Sequence, residues 1–154
     1  MKYPLNFYTE YHQFYIQDRI SEGKTDSDDF WTEAAHNDKL AVENGIVGVG
    51  TECYGPVKGE LIILDSANDS FDINLYDHIV EGSIELKSGT LQVANCTWFD
   101  IELELKLEPG TYRIRVYSSN LASVVGDEGD DFYKIEIWPD IMLERRVLKG
   151  YMRR

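Results

Sequence analysis

Three histidines, His12, His36 and His78, are the side chains of this 154-residue chain whose ordinary pKa lies near neutrality. None stands beside a nucleophile in a pattern that would make it a general base. The sequence holds no G-x-S-x-G, no H-E-x-x-H, no phosphate loop and no dinucleotide fingerprint. His12 lies in an aromatic run and reads as a ring packed or hydrogen-bonded at the edge of the core, and His36 as a solvent-facing residue of a short helix. Acidic pairs such as Glu102 and Glu104 arise by chance in a chain with 28 Asp and Glu, so they carry no signal for glycoside hydrolysis. Cys53 and Cys96 lack the C-x-x-C spacing and the neighbouring histidines of a zinc site and read as buried free thiols. No catalytic residue, metal or cofactor is assigned, and the chain is not read as an enzyme.

The chemistry that remains is that of carboxylates. Asp26, Asp28 and Asp29 form one acidic loop, and Asp127, Glu128, Asp130 and Asp131 form another. Neither completes the EF-hand pattern, although the second could offer oxygen ligands to calcium. The favoured role is contact with a basic protein. Carboxylates grouped on a loop can meet arginine and lysine as phosphates do, and such pairs contribute strongly when desolvated.

Net charge supports that direction. The chain carries −13 overall, and Arg145, Arg146, Lys149, Arg153 and Arg154 supply five of its 15 basic residues within the last ten positions. Residues 1–144 are therefore near −18. A surface of this sign repels nucleic acid, whose binding rests on lysine and arginine displacing counterions. It attracts a cationic protein, over a screening length of about 8 Å at physiological salt.

These loops need a scaffold, and the pattern for one is β-rich. Leu5 to Asp18 reads as one long aromatic strand with a bulge or bend where the alternation shifts near Tyr11 and His12. Trp31, Ala34 and Ala35 share one face of a short helix, which Asp28 or Asp29 can cap and whose dipole Glu33 complements. From Gly45 onward short strands alternate with turns. Leu61 to Leu64 reads as a strand covered on both faces. Ile84 to Lys87 and Thr90 to Val93 flank Ser88-Gly89. Ile101, Leu103, Leu105 and Leu107 alternate with Glu102, Glu104, Lys106 and Glu108. Pro109-Gly110 suggests a type II turn closing a hairpin that sets Glu104 opposite Arg115. Tyr133, Ile135 and Ile137 form a last strand ending at Trp138-Pro139.

The expected fold is all-β: an antiparallel β-sandwich or jelly-roll-like domain over residues 1–144, with one short helix inserted near the N-terminus. A basic tail, 145–154, follows as a short helix or a loose segment. No apolar run reaches the length of a membrane span and the first residues lack a signal-peptide core, so a cytoplasmic protein is expected.

The N-terminal third resembles the competence protein J family, inhibitors of the nuclease that admits DNA into transformable bacteria. The matching residues are Tyr11-His12-Gln13-Phe14, Trp31-Thr32 with Glu33-Ala34, Ala41 to Gly45-Ile46, and the apolar run Leu61 to Leu64. A weaker match continues at Leu107-Glu108-Pro109-Gly110-Thr111-Tyr112. The resemblance implies a partner with a basic DNA-binding cleft and a metal-dependent active site, which an acidic domain could cover. The acidic loop from Asp127 and the basic tail depart from that pattern. The stretch from Tyr112 to Trp138-Pro139 also resembles small bacterial proteins of the immunity type. The expected function is thus inhibition of a basic nuclease or toxin by binding, with self-association left open. The alternative is a carbohydrate- or calcium-binding β-sandwich module.

Overall fold

The structure, a computed structural model, describes residues 1–21, 25 and 28–152. Asp26 of the first acidic loop lies outside them. Among the described residues, eleven strands form two sheets: β1 (Lys2–Tyr8), β2 (Gln13–Asp18), β3 (Leu40–Glu43), β4 (Ile46–Gly50), β5 (Pro56–Ile63), β6 (His78–Leu86), β7 (Thr90–Asn95), β8 (Ile101–Lys106), β9 (Gly110–Ser119), β10 (Phe132–Pro139) and β11 (Arg146–Lys149). One sheet runs β1-β5-β10-β9-β6-β11 and the other β3-β4-β2-β7-β8. The fold is a β-sandwich with one short helix, α1 (Glu33–Asp38), as the alternation implies. Pairing is antiparallel except between β5 and β10, which run parallel.

Period-two alternation builds the core. Tyr112, Ile114 and Val116 of β9 and Tyr133, Ile135 and Ile137 of β10 face Phe14, Ile16, Val47, Val49, Leu91 and Val93 of the opposing sheet. Full burial of such a side chain stabilises by about 1.5–3 kcal/mol. Phe30 and Ala35 join Tyr15, Ala41 and Ile46 in a second cluster that lays the α1 segment on the outer side of the five-stranded sheet. The backbones of β5 and β10 approach so closely that a Cβ on Gly59 would sit 2.0 Å from the Tyr133 carbonyl oxygen.

Several local expectations are corrected. The aromatic N-terminal run is two strands in different sheets, because Tyr11 and His12 both adopt left-handed φ (58° and 60°) and turn the chain across the sandwich. The cap of α1 is Thr32, whose hydroxyl accepts from Ala35 N at 3.1 Å, and not Asp28 or Asp29. No hairpin closes at Pro109-Gly110: β8 pairs with β7, which sets Glu104 opposite Gln92, while Arg115 lies between Glu81 and Glu136. Residues 145–152 are not helical, and several of them are tied to the body. β11 pairs with β6, Arg145 donates to Asp38 at 2.8 Å, and Lys149 Nζ donates to the Tyr76 carbonyl at 2.6 Å.

The outer face of the six-stranded sheet carries a row of charges. Glu81, Arg115 and Glu136 stand side by side on β6, β9 and β10. Arg115 Nε donates to Glu81 at 2.6 Å, and its guanidinium lies between the rings of Phe71 and Trp138, at 4.8 and 4.9 Å. Tyr117 donates to Glu136. Arg113, only 2% exposed, donates to Glu81 and to the carbonyls of Leu143 and Glu144. Residues 68–76 and 143–146 therefore roof this face, and its charges are spent inside the fold.

Candidate protein-interaction face

Strand directions gather four loops at one end of the sandwich: 9–12, 51–55, 96–100 and 120–131. Contacts stitch them together in sequence. Thr97 Oγ1 donates to Glu10 at 3.2 Å, Thr9 N to the Gly55 carbonyl at 2.9 Å, and Cys53 Sγ to the Asp127 carbonyl at 3.0 Å. These loops contain seven acidic residues and no lysine or arginine. The opposite end, with the turns 44–45, 87–89 and 107–109 and the segments that leave β2, β5 and β10, also exposes carboxylates, among them Asp65, Glu108 and Asp140, but mixes them with Arg19 and Lys87. The four loops differ in holding no lysine or arginine.

Backbone strain is concentrated at the same end. Among the described residues, the six non-glycine positions with positive φ are Tyr11, His12, Lys39, Thr97, Phe99 and Asn120, and all lie there. Each such conformation costs on the order of 1 kcal/mol and persists where surrounding contacts enforce it, a pattern that clusters at functional sites.

Not every carboxylate in these loops is available to a partner. Asp131 is buried and accepts from Cys53 N at 3.2 Å and Tyr133 OH at 2.6 Å, so it fixes the loop from within. That placement withdraws it from the expected contact set. Glu52 pairs with Lys39 Nζ at 2.9 Å. Asp127, Glu128 and Asp130 are exposed, as is Asp100. Val125 and Glu128 exchange backbone hydrogen bonds that make the 125–128 segment a tight hairpin. Among the described residues no three His, Cys, Asp or Glu side chains converge as metal ligands would, and Asp131 faces inward, so the loop presents no ready-made calcium cage. Asp28 and Asp29 are exposed too, but they precede Phe30 on the segment that covers the five-stranded sheet.

The Tyr11-His12-Gln13-Phe14 run and Trp31 come together. Gln13 Oε1 accepts from both Trp31 Nε1 and Tyr15 OH, each at 2.7 Å. Tyr11, His12, Gln13, Trp31, His36, Lys39, Gly50 and Thr51 line a cleft of about 260 Å³. Phe14 faces the core, edge-on to Phe7, and Glu33 is exposed on α1. His12 Nδ1 lies 3.0 Å from the backbone carbonyl of Glu52, and His36 stacks on Trp31. His78 is interior: its Nδ1 accepts from Tyr151 N at 2.9 Å and its Nε2 donates to the Asp38 carbonyl at 2.6 Å. Burial holds its pKa below the ordinary value, with the nearby Lys39 ammonium adding to the effect. Burial likewise pushes the Cys53 thiol up.

Sequence reasoning overlooked the 96–100 loop. It contributes Trp98, 75% exposed, beside Asp100, while Phe99 stacks on Tyr15 at 5.0 Å between ring centroids. The available signal was Thr97-Trp98-Phe99-Asp100, an aromatic pair interrupting a strand-rich stretch without any turn glycine or proline.

Among the described residues no helix is long and apolar enough to cross a membrane. No family model matches the chain, and no curated protein matches it. Two solved structures share the fold. One is ComJ, inhibitor of the DNA-degrading activity of NucA, from Bacillus subtilis, with a TM-score of 0.70 and 17% identity, covering 91% of this chain and 98% of that one. The other is described as crocagin biosynthetic gene J, with a TM-score of 0.58 and 20% identity, covering 92% and 98% respectively. At these identities the likeness is one of fold.

Proposed function

We propose that this protein inhibits a DNA-degrading nuclease by seating the acidic end of its sandwich in the nuclease's basic DNA-binding cleft. The observation that carries the reading is the likeness of fold, over 91% of this chain, to a nuclease inhibitor, in a chain whose net charge is −13. Fold likeness alone does not transfer an activity. Loops that carry carboxylates and no lysine or arginine supply the physical reason: a cleft built to hold phosphates presents arginine and lysine, and carboxylates on a rigid scaffold meet them without neutralising cations on the same loops. Asp127, Glu128 and Asp130 are the proposed contact residues on the 120–131 loop, with Asp28 and Asp29 as a second acidic patch. Inhibition of this kind needs no chemistry from the inhibitor. It belongs in a bacterial cytoplasm, in a competence- or immunity-type pairing.

The test is a titration of the purified protein into a DNA-degradation assay with a non-specific, metal-dependent nuclease of the NucA type. Cleavage is expected to cease near equal stoichiometry, with affinity falling as salt rises. Undiminished cleavage at large excess of the protein and low salt would reject the proposal.

A further inference from the structure

We infer that Trp98 is the anchor of this interaction face and that its partner surface is a guanidinium-lined recess wide enough to admit an indole. The inference rests on the inhibitor reading above and specifies its contact chemistry.

The 96–100 loop is built to hold an indole outward. Asn95 ties both of its ends: Asn95 N donates to the Asp100 carbonyl at 3.1 Å, and Asp100 N donates to Asn95 Oδ1 at 3.2 Å. Trp98 N donates to the Cys96 carbonyl at 3.0 Å, and Cys96 N donates to Thr9 Oγ1 at 2.8 Å. Phe99, 42% exposed, stacks on the buried Tyr15, and Thr97 and Phe99 adopt left-handed conformations (76° and 53°) on either side of Trp98. The loop is thus tied at its ends, along its backbone and through Phe99, while its largest residue stands in solvent. Its order precedes binding, so little rotamer and loop entropy is lost when a partner docks.

What surrounds the indole fixes the partner's chemistry. Asp100 and Glu102 are exposed two and four residues further along the chain, Asn95 Nδ2 bridges them at 3.4 and 3.3 Å, and Glu10 reaches the same loop through Thr97. Tyr11, 59% exposed, stands edge-on to Tyr54 on the adjoining loop. Residues 8–12 and 95–102 contain no lysine or arginine. A π face rimmed by carboxylates is complementary to arginine, whose planar guanidinium stacks on rings while its N–H groups reach acidic oxygens. Tryptophan is the residue most enriched at interface positions that dominate affinity. Beside the 120–131 loop the exposed ring is Phe132, 37% exposed against 75% for Trp98, so the anchor lies at 96–100 and the Asp127 loop steers.

The protein labelled with 5-fluorotryptophan gives one fluorine resonance for each of its three tryptophans, assigned by Trp→Phe variants. It is titrated at low salt with the nuclease and, separately, with an oligoarginine peptide. The Trp98 resonance is expected to move with both probes. Trp98→Ala should weaken nuclease affinity by roughly tenfold or more, and Trp98→Phe should retain most of it. If Trp98→Ala inhibits as well as the parent, the anchor is wrong and the inhibitor reading stands. If the parent fails to inhibit, that reading falls by itself. The peptide arm then decides the anchor, and a stationary Trp98 resonance would overturn it.

Discussion

Glu81 and Glu136 lie under two covering segments with guanidinium groups on either side, whereas Asp127, Glu128 and Asp130 stand on loops that contain no lysine or arginine. Both sets consist of ordinary carboxylates on the same small sandwich, so the difference is one of circumstance. The first set is neutralised by Arg113 and Arg115, whose remaining donors reach the Leu143, Glu144 and Asn68 carbonyls. Its charge clasps two segments to the sheet and projects little field outward. The second set is mounted on a strained, cross-linked end and leaves its field in solvent, where a cationic partner can respond to it. Cover by neighbouring segments and cations therefore separates the carboxylates that hold the fold from those proposed to act.

Removing one partner of the inner set should have the largest effect. Glu81→Ala leaves Arg113 and Arg115 facing a gap, and loss of one member of a buried ion pair costs about 3–5 kcal/mol. Urea denaturation is expected to show that loss, while inhibition per folded molecule stays unchanged. A large loss of inhibition without loss of stability would erase the division of roles.

A smaller effect on the interior side comes with pH. The fold holds His78 neutral with a lowered pKa, so the unfolded chain takes up a proton below about pH 6.5 that the folded protein refuses. Stability should be full above that point and decline as pH falls toward the lowered value. In denaturation curves collected between about pH 7 and 5, His78→Gln should flatten this slope. An identical slope in that variant would remove His78 as its source.

The smallest stability effect is expected at the outer set. Asp127→Lys, Glu128→Lys and Asp130→Lys together should shift unfolding by no more than about 0.5 kcal/mol per site, as exposed substitutions do. The same triple variant should slow association with the nuclease and flatten its dependence on salt. Unaltered association kinetics would shift the functional charge from this loop to Asp100 and its neighbours.

The alternation of Tyr112 to Val116 and Tyr133 to Ile137 made the sandwich legible, because core-facing residues repeat with the pleat, whereas on the edge strand β8 the same alternation buries Leu105 and leaves Ile101 exposed. Partner choice was not. Pro109-Gly110 looks like a hairpin turn, yet it carries the chain between sheets, and nothing local encodes which strand β8 or β9 will meet. The buried ionic row escaped for a related reason. Arg113, Arg115 and Glu136 occupy the outward phase that normally faces water, and only the distant 68–76 and 143–146 segments convert that face to interior. Charge totals pointed to an acidic surface but could not separate Asp131, turned inward, from Asp127 and Asp130 nearby. Trp98 was hidden because an aromatic residue between strands usually belongs to a core, and its exposure follows from left-handed turns at Thr97 and Phe99.

Strand β10 occupies the middle of its sheet, between β5 and β9, although it is the tenth strand in chain order. The six-stranded layer therefore cannot zip shut until the chain through Pro139 has left the ribosome. Until then β5 and β9 expose unsatisfied edges, the state most exposed to mispairing. Contacts spanning more than seventy residues, such as Gly59 with Tyr133, set a slow pace for maturation by topology alone. Competence to bind would thus switch on late and all at once, with truncation before Trp138 leaving a chain that never closes.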